Sequence, residues 1–329
     1  MLAGETEKSG IMKLVAIGLA AIVALTHAMA AETQVSIEGP SGTLRGTLSS
    51  PDGGPKPPIA IIIPGSGPTD RDGNNPLGVT AASYRLLAEA LSAKGVSTIR
   101  IDKRGMFGSS AAAADADNIR TSDYAADVRA WRAEAQKRAS AACVWLIGHS
   151  EGSLIALITA QQPEGLCGFV LVAGAGRKMG DILREQLKAN AANAPILPQA
   201  LAAIMELEAG RHVDVSGMHP ALAALFRPSV QGFVIDQMSY DPAALLARYT
   251  GPVLVLQGTT DLQLTMQDAQ RLAGARPGVT MVALDGVNHV LKLAPAERAA
   301  NLATYGNSAL PIAPSVVEAI TAFLARHPS

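Results

Sequence analysis

Five residues constrain this chain more than any others: Gly148-His149-Ser150-Glu151-Gly152. They follow the apolar run Cys143-Val144-Trp145-Leu146-Ile147 and precede the helix-like Ser153-Leu154-Ile155-Ala156-Leu157-Ile158. In a chain with 31 glycines a bare G-x-S-x-G says little. Placed between a strand and a helix, it describes a sharp turn that exposes a serine hydroxyl at the carboxyl end of a sheet. Bulky side chains two residues either side of the serine would collide in such a turn, which accounts for both glycines. The helix that follows aims its N-terminus at any oxyanion formed there. The alternative is a purely structural turn.

A serine is a weak nucleophile without a base and an orienting acid. In this arrangement both should follow the serine in sequence, acid before histidine, each just beyond a strand. Of the six histidines, His27 lies in the leader and His327 at the C-terminus, while His212 and His219 fall in an irregular stretch. His149 sits inside the turn, where its side chain is expected to point away from Ser150. His289 is well placed, in the loop Asp285-Gly286-Val287-Asn288-His289 leaving the strand 279–284. For the acid, Asp261 ends the buried run 252–258, and Asp285 lies at the base of the histidine's own loop. A partner on a neighbouring strand reaches the imidazole more easily, so Asp261 is preferred, although it could also cap a helix starting near Thr265. The expected catalytic set is Ser150, Asp261 and His289.

Two backbone N–H groups should stabilise the oxyanion. One belongs to Glu151, the residue after the nucleophile, and the other to the loop Pro64-Gly65-Ser66-Gly67-Pro68 that follows the strand 58–63. Ser66 is the expected donor, with Gly65 and Gly67 as register alternatives. The loop has no G-x-x-x-x-G-K-[ST] pattern, which speaks against a nucleotide site.

Elsewhere, strands and helices alternate. A hairpin is expected over 34–48, then helix 81–94, strand 96–101, helix 122–139, and a strand ending near Gly174. This pattern gives a mostly parallel sheet with helices on both faces. From 176 to 249 the alternation breaks and the text turns helical, at 181–190, 198–209, 220–225 and 230–238. An insertion there would lie over Ser150 as a lid, its apolar residues lining an acyl pocket. A closing helix is expected over 315–326.

Three runs carry a family resemblance: Pro64 to Asn74, Asp102-Lys103-Arg104-Gly105 with Gly108 and Ser109, and the serine pentapeptide. They resemble the α/β-hydrolase superfamily, and within it bacterial carboxylesterases with a helical cap; the chain is also similar to the serine aminopeptidase branch. The resemblance covers almost everything from residue 36 onward. It implies the α/β-hydrolase fold, with core segments 31–175 and 250–329 and a cap at 176–249. It also implies ester cleavage with no metal or organic cofactor. The oxyanion loop lacks the His-Gly pair many relatives carry. Glu151 places a carboxylate beside the nucleophile, which is expected to disfavour anionic substrates.

Composition sets the outer bounds. With 329 residues, 48% of them hydrophobic, one large enzyme domain is ordinary. A net charge of −1 and 4% aromatic content offer nothing to nucleic acid. The first thirty residues read as a secretory signal peptide: Met12-Lys13, the apolar run 14–25, and Ala28-Met29-Ala30 before Ala31. The apolar run is short for a membrane span, although an uncleaved anchor is the alternative. The expected location is periplasmic or secreted, without stable membrane insertion after cleavage. The two cysteines, Cys143 and Cys167, open consecutive strands. They could bond in an oxidising compartment, but neighbouring parallel strands make that geometry awkward.

Other functions compete with esterase. An amidase or aminopeptidase could use the same three residues, with Glu185, Glu206, Glu208 or Asp214 holding a substrate ammonium. A dehalogenase would need an aspartate at position 150. A catalytically silent binding scaffold is at odds with having all three residues present in order. The partner expected is a small ester, and the sequence leaves oligomeric state open.

Overall fold

The computed structural model describes residues 31–115 and 118–328. The signal-peptide segment, 1–30, lies outside the described residues. The fold is built on one eight-stranded sheet of order β1-β2-β4-β3-β5-β6-β7-β8. Its first two strands, β1 (Ala31–Glu38) and β2 (Thr43–Ser50), form the expected hairpin, and β2 runs antiparallel to β4 (Ser97–Ile101). The other strands are parallel: β3 (Ile59–Ile63), β5 (Val144–His149), β6 (Leu166–Val172), β7 (Val253–Gly258) and β8 (Val279–Leu284). Strands β3, β4, β5 and β7 are buried along their whole length, because helices cover both faces.

Those helices are α1 (Ser83–Ser92), α2 (Thr121–Ala139), α3 (Glu151–Thr159), α9 (Met266–Ala273) and α11 (Pro314–Arg326). Two apolar clusters result, one on each face of the sheet. One centres on Trp131, Leu146, Ile155 and Phe169, the other on Trp145, Leu254, Ile320 and Phe323. Because the strand period is two, neighbours such as Trp145 and Leu146 go to opposite clusters.

Five helices stand between β6 and β7: α4 (Met179–Ala189), α5 (Leu197–Glu208), α6 (Pro220–Leu225), α7 (Pro228–Met238) and α8 (Pro242–Ala247). Pro at the first helical positions of α5 to α8 fits the start of a helix, where a missing N–H costs nothing. α4 to α7 gather around their own apolar centre of Ala203, Ile204, Leu207, Leu222, Phe226 and Met238. The short α8 and α10 (Arg298–Ala303) are additions to the sequence expectation.

Cys143 and Cys167 form a disulfide with a Cα–Cα distance of 5.1 Å. The difficulty of bridging parallel neighbours is removed by a β-bulge. Val144 pairs with Leu166 but Trp145 pairs with Gly168, so Cys167 is the skipped residue, free of the ladder and turned toward its partner.

Candidate active site

Strand β5 ends at His149 and α3 begins at Glu151, which leaves Ser150 alone on the turn with φ 53° and ψ −119°. A non-glycine residue there is strained and persists because its surroundings over-determine it. The glycines on either side are fixed by close approach. A Cβ on Gly148 would sit 2.3 Å from the Gly152 carbonyl oxygen, and one on Gly152 would sit 2.2 Å from that of Ile63. The turn is therefore pressed against the end of β3, which brings the oxyanion loop to the serine. Glu151 opens α3, so its amide has no carbonyl within the helix to bond.

Asp261 and His289 arrive from the ends of β7 and β8. Nδ1 of His289 lies 2.9 Å from Asp261 Oδ2. Since a carboxylate only accepts, Nδ1 carries the hydrogen of this bond. Asp261 also accepts from the amides of Gln263, at 2.7 Å, and Leu264, at 3.1 Å, and from the Gln257 side chain. Burial alone would raise its carboxyl, but the His289 charge and these hydrogen bonds outweigh burial and hold it below the usual range. Asp285, the other candidate acid, instead accepts from the Thr259 hydroxyl at an exposed position. The helix beginning near Thr265 is capped by Thr265 and Asp268, not by Asp261.

His149 takes a part that its sequence position did not announce. It is buried, and its Nε2 donates to the backbone carbonyl of His289 at 2.8 Å. That leaves Nδ1 to accept from the Tyr84 hydroxyl at 2.8 Å, and Tyr84 in turn accepts from the Gly65 amide at 2.9 Å. Every donor meets an acceptor only if His149 is neutral. Burial, reinforced by the neighbouring His289, pushes it from 6.5 down to about 3. One chain of hydrogen bonds thus ties the oxyanion loop, α1 and the turn to the loop of His289. Because the Gly65 amide is engaged, Gly65 drops out as an oxyanion donor and Ser66 or Gly67 is left.

Lys103 was missed as a site residue, although it lies in the Asp102-Lys103-Arg104-Gly105 run. Its ammonium donates to Glu151 Oε1 at 2.8 Å and to the Gly65 carbonyl at 2.7 Å. Gln237, from α7, donates to Glu151 Oε2 at 3.0 Å. The expectation that Glu151 repels anions is corrected here, because its carboxylate is neutralised by a buried cation. The flanking residues serve as supports: Asp102 accepts from the amides of Arg71 and Gly108, and Arg104 grips Asp127 with two nitrogens. The signal for Lys103 is visible only in hindsight, as a cation at the end of a fully buried strand.

Two cavities meet at Ser150. One, of about 130 Å³, is bounded by His289 and Tyr305, and the other, of about 290 Å³, by the α4 residues Met179, Ile182 and Leu183 with Leu154 and Leu264. The described residues contain no cluster of side chains suited to a metal ion and no helix long and apolar enough to cross a membrane.

The fold and the buried Asp–His pair beside an elbow serine define a class, and comparison with known proteins agrees. The model of the Alpha/beta hydrolase family matches residues 60–304, and the chain belongs to that family. It is 25% identical over 273 residues to esterase EstD of Thermotoga maritima, a match covering 79% of this chain and 60% of that relative's length. Among solved structures, Est1E of Butyrivibrio proteoclasticus with bound ferulic acid has a TM-score of 0.56 at 16% identity, covering 89% of this chain and 98% of that one. GrgF of Penicillium sp. sh18 has a TM-score of 0.60 at 17% identity, covering 90% and 99%. A proline iminopeptidase of Mycobacterium smegmatis has a TM-score of 0.57 at 17% identity, covering 90% and 98%. At these identities the structural likeness speaks for the fold alone.

Proposed function

We propose that this protein is a serine hydrolase that cleaves carboxylic esters through an acyl-enzyme on Ser150. The observation that carries the proposal is the shared cavity of Ser150 and His289, with His289 held in one tautomer by Asp261. His289 Nε2 takes the Ser150 proton as Oγ attacks the acyl carbon, and returns it to the leaving oxygen as the C–O bond breaks. Water then attacks the acyl-enzyme with His289 again as base. The amides of Ser66 and Glu151 face the oxyanion of both tetrahedral intermediates. The helices of 176–249 act as a cap, and the apolar cavity beneath them receives the acyl chain. The likeness to esterase EstD supports ester chemistry.

An aminopeptidase needs a free carboxylate for the substrate ammonium, and the acids considered for that part are engaged elsewhere. Glu185 pairs with Arg177, Glu208 with Arg184, Glu206 with Arg211, and Asp214 accepts from Ser216. The Cys143–Cys167 disulfide supports an exported protein, periplasmic or secreted, because such bonds persist in oxidising compartments.

The test is hydrolysis of p-nitrophenyl esters from acetate to palmitate, with an amino-acyl p-nitroanilide alongside, by the wild type and Ser150→Ala. Ester turnover abolished by Ser150→Ala is the expected result. Anilide turnover without ester turnover would overturn it in favour of a peptidase.

A further inference from the structure

The two cavities at Ser150 differ in which catalytic group they touch. Ser66, Ser150 and Gln263 line both, so the scissile bond lies at the seam between them. His289 lines only the smaller cavity. The larger one runs the other way, past Glu151 and Leu154 toward Met179, Ile182 and Leu183. In acylation the proton on His289 Nε2 must reach the oxygen that departs, so the leaving alcohol has to lie on the histidine's side. The acyl chain is then left with the apolar side.

The volumes and chemistry of the two cavities set what each can hold. The smaller cavity, about 130 Å³, has less than half the volume of the larger, about 290 Å³, so it suits the shorter of the two ester portions. The small cavity mixes apolar wall, including Val79 and Val290, with several polar side chains, most of which serve one another. The Thr69 hydroxyl donates to the Ser66 carbonyl, Asn75 donates to Thr69, and Ser83 donates to the Val290 carbonyl. Tyr84 and His149 are committed to the chain described above.

Tyr305 stands apart from these. Its side chain packs with Ala81 and Val290, and the residue is only 8% exposed. Its hydroxyl interacts with the Gln263 side chain, which lines the same cavity. A phenolic hydroxyl both donates and accepts, so beside Gln263 it is a ready contact for a polar ligand group.

We propose that the small cavity is the leaving-group subsite, that it takes a short polyol, and that Tyr305 is its recognition residue. The favoured substrate is an ester between such a polyol and an unbranched apolar acid of medium length. This rests on the ester-hydrolase function proposed above. The reaction is balanced by the residues already named. Ser150 Oγ bonds to the acyl carbon, the carbon–alkoxide bond breaks, and the alkoxide leaves as alcohol with the proton from His289.

The experiment compares kcat/KM for glyceryl monooctanoate, hexyl octanoate and octyl acetate, in wild type and Tyr305→Phe, with p-nitrophenyl octanoate in parallel. All octanoate esters give the same acyl-enzyme, so differences among them in kcat/KM report on acylation and on the alcohol. The expected result is that wild type prefers glyceryl monooctanoate to hexyl octanoate by about tenfold or more, and that Tyr305→Phe removes most of that preference. Loss of the preference for the polyol is what a merely structural tyrosine would not produce, since it would lower all esters together. Octyl acetate as the best substrate would reverse the two cavities and overturn the proposal while leaving the hydrolase intact. An unchanged preference in Tyr305→Phe would likewise overturn it. Silence on every ester, p-nitrophenyl octanoate included, would overturn both proposals together.

Discussion

Replacing Lys103 by Met tests the electrostatics beneath the nucleophile. Lys103 and Glu151 side chains are 2% and 3% exposed, and their charges lie 2.8 Å apart. Ion pairs between solvent-exposed side chains contribute about 0–1 kcal/mol in general. Removing one partner of a buried pair is different, because the other charge stays behind without water or counter-ion, at a cost of about 3–5 kcal/mol. With roughly 2–4 °C per kcal/mol for a domain of about this size, Lys103→Met should lower Tm by about 6–20 °C. The Gly65 carbonyl loses a donor as well, so the oxyanion loop loosens and kcat should fall by about tenfold or more with KM little changed. Urea denaturation and p-nitrophenyl ester kinetics on the same samples measure both effects. Adding Glu151→Gln to Lys103→Met removes the stranded charge but keeps a polar partner for Gln237. At least half of the lost stability should therefore return, while kcat stays low. If Lys103→Met unfolds within about 1 kcal/mol of wild type, the pair behaves as a surface pair and the reasoning fails.

Three further outcomes follow from the same geometry. Tyr84→Phe leaves the Gly65 amide and His149 Nδ1 unpartnered in a buried site, so denaturation should show a loss of about 2 kcal/mol or more, with a fall in kcat. His149 refuses a proton in the fold until about pH 3, whereas the unfolded chain takes one near 6.5. Its contribution to stability is therefore complete above about pH 6.5 and declines on acidification through that window, by up to about 1.4 kcal/mol per pH unit. His149→Gln should flatten the difference between denaturation curves at pH 7 and pH 4.5, and an unchanged slope would refute the assignment. Replacing both Cys143 and Cys167 by Ser opens a loop with a sequence separation of 24, and should lower unfolding stability by about 3–4 kcal/mol, as read by thermal denaturation.

Much of the architecture was legible because it depends on local patterns. The β3 and β7 runs are apolar and bounded by Gly or Pro, the β5 run is apolar up to the elbow, and the elbow glycines mark a contact only small residues allow. His289 and Asp261 could be found because strand ends and chain order confine the choice. What escaped depends on contacts distant in sequence. Lys103 meets Glu151 across 48 residues, Tyr84 meets His149 across 65, and Gln237 meets Glu151 across 86. No local periodicity records such pairings. The bulge at Cys167 escaped for a related reason, since it belongs to the register between two strands and to neither strand alone. The six-residue helices α8 and α10 also escaped, although α6, of the same length, did not.

Helices α4 to α6 and the Met238 end of α7 hold their own apolar centre, whereas Phe233 of α7 and Leu245 and Leu246 of α8 pack into a cluster on the sheet. Their polar ties to the body include Arg177 to Asp268, Asp236 to the Thr121 amide, Gln186 to the Gln263 carbonyl, and Gln237 to Glu151. A centre that does not share side chains with the sheet can be repacked without disturbing Ser150, Asp261 or His289. Changes to α4 and α5 can therefore reshape the cavity beneath them while the sheet stays fixed, but a graft running from Gly176 to Gly251 would also have to supply the side chains that Phe233, Leu246 and Tyr249 place in the sheet's own core. Gln237 adds a second constraint. It reaches down to the residue beside the nucleophile, so a transplanted segment has to bring its own hydrogen-bond donor for Glu151.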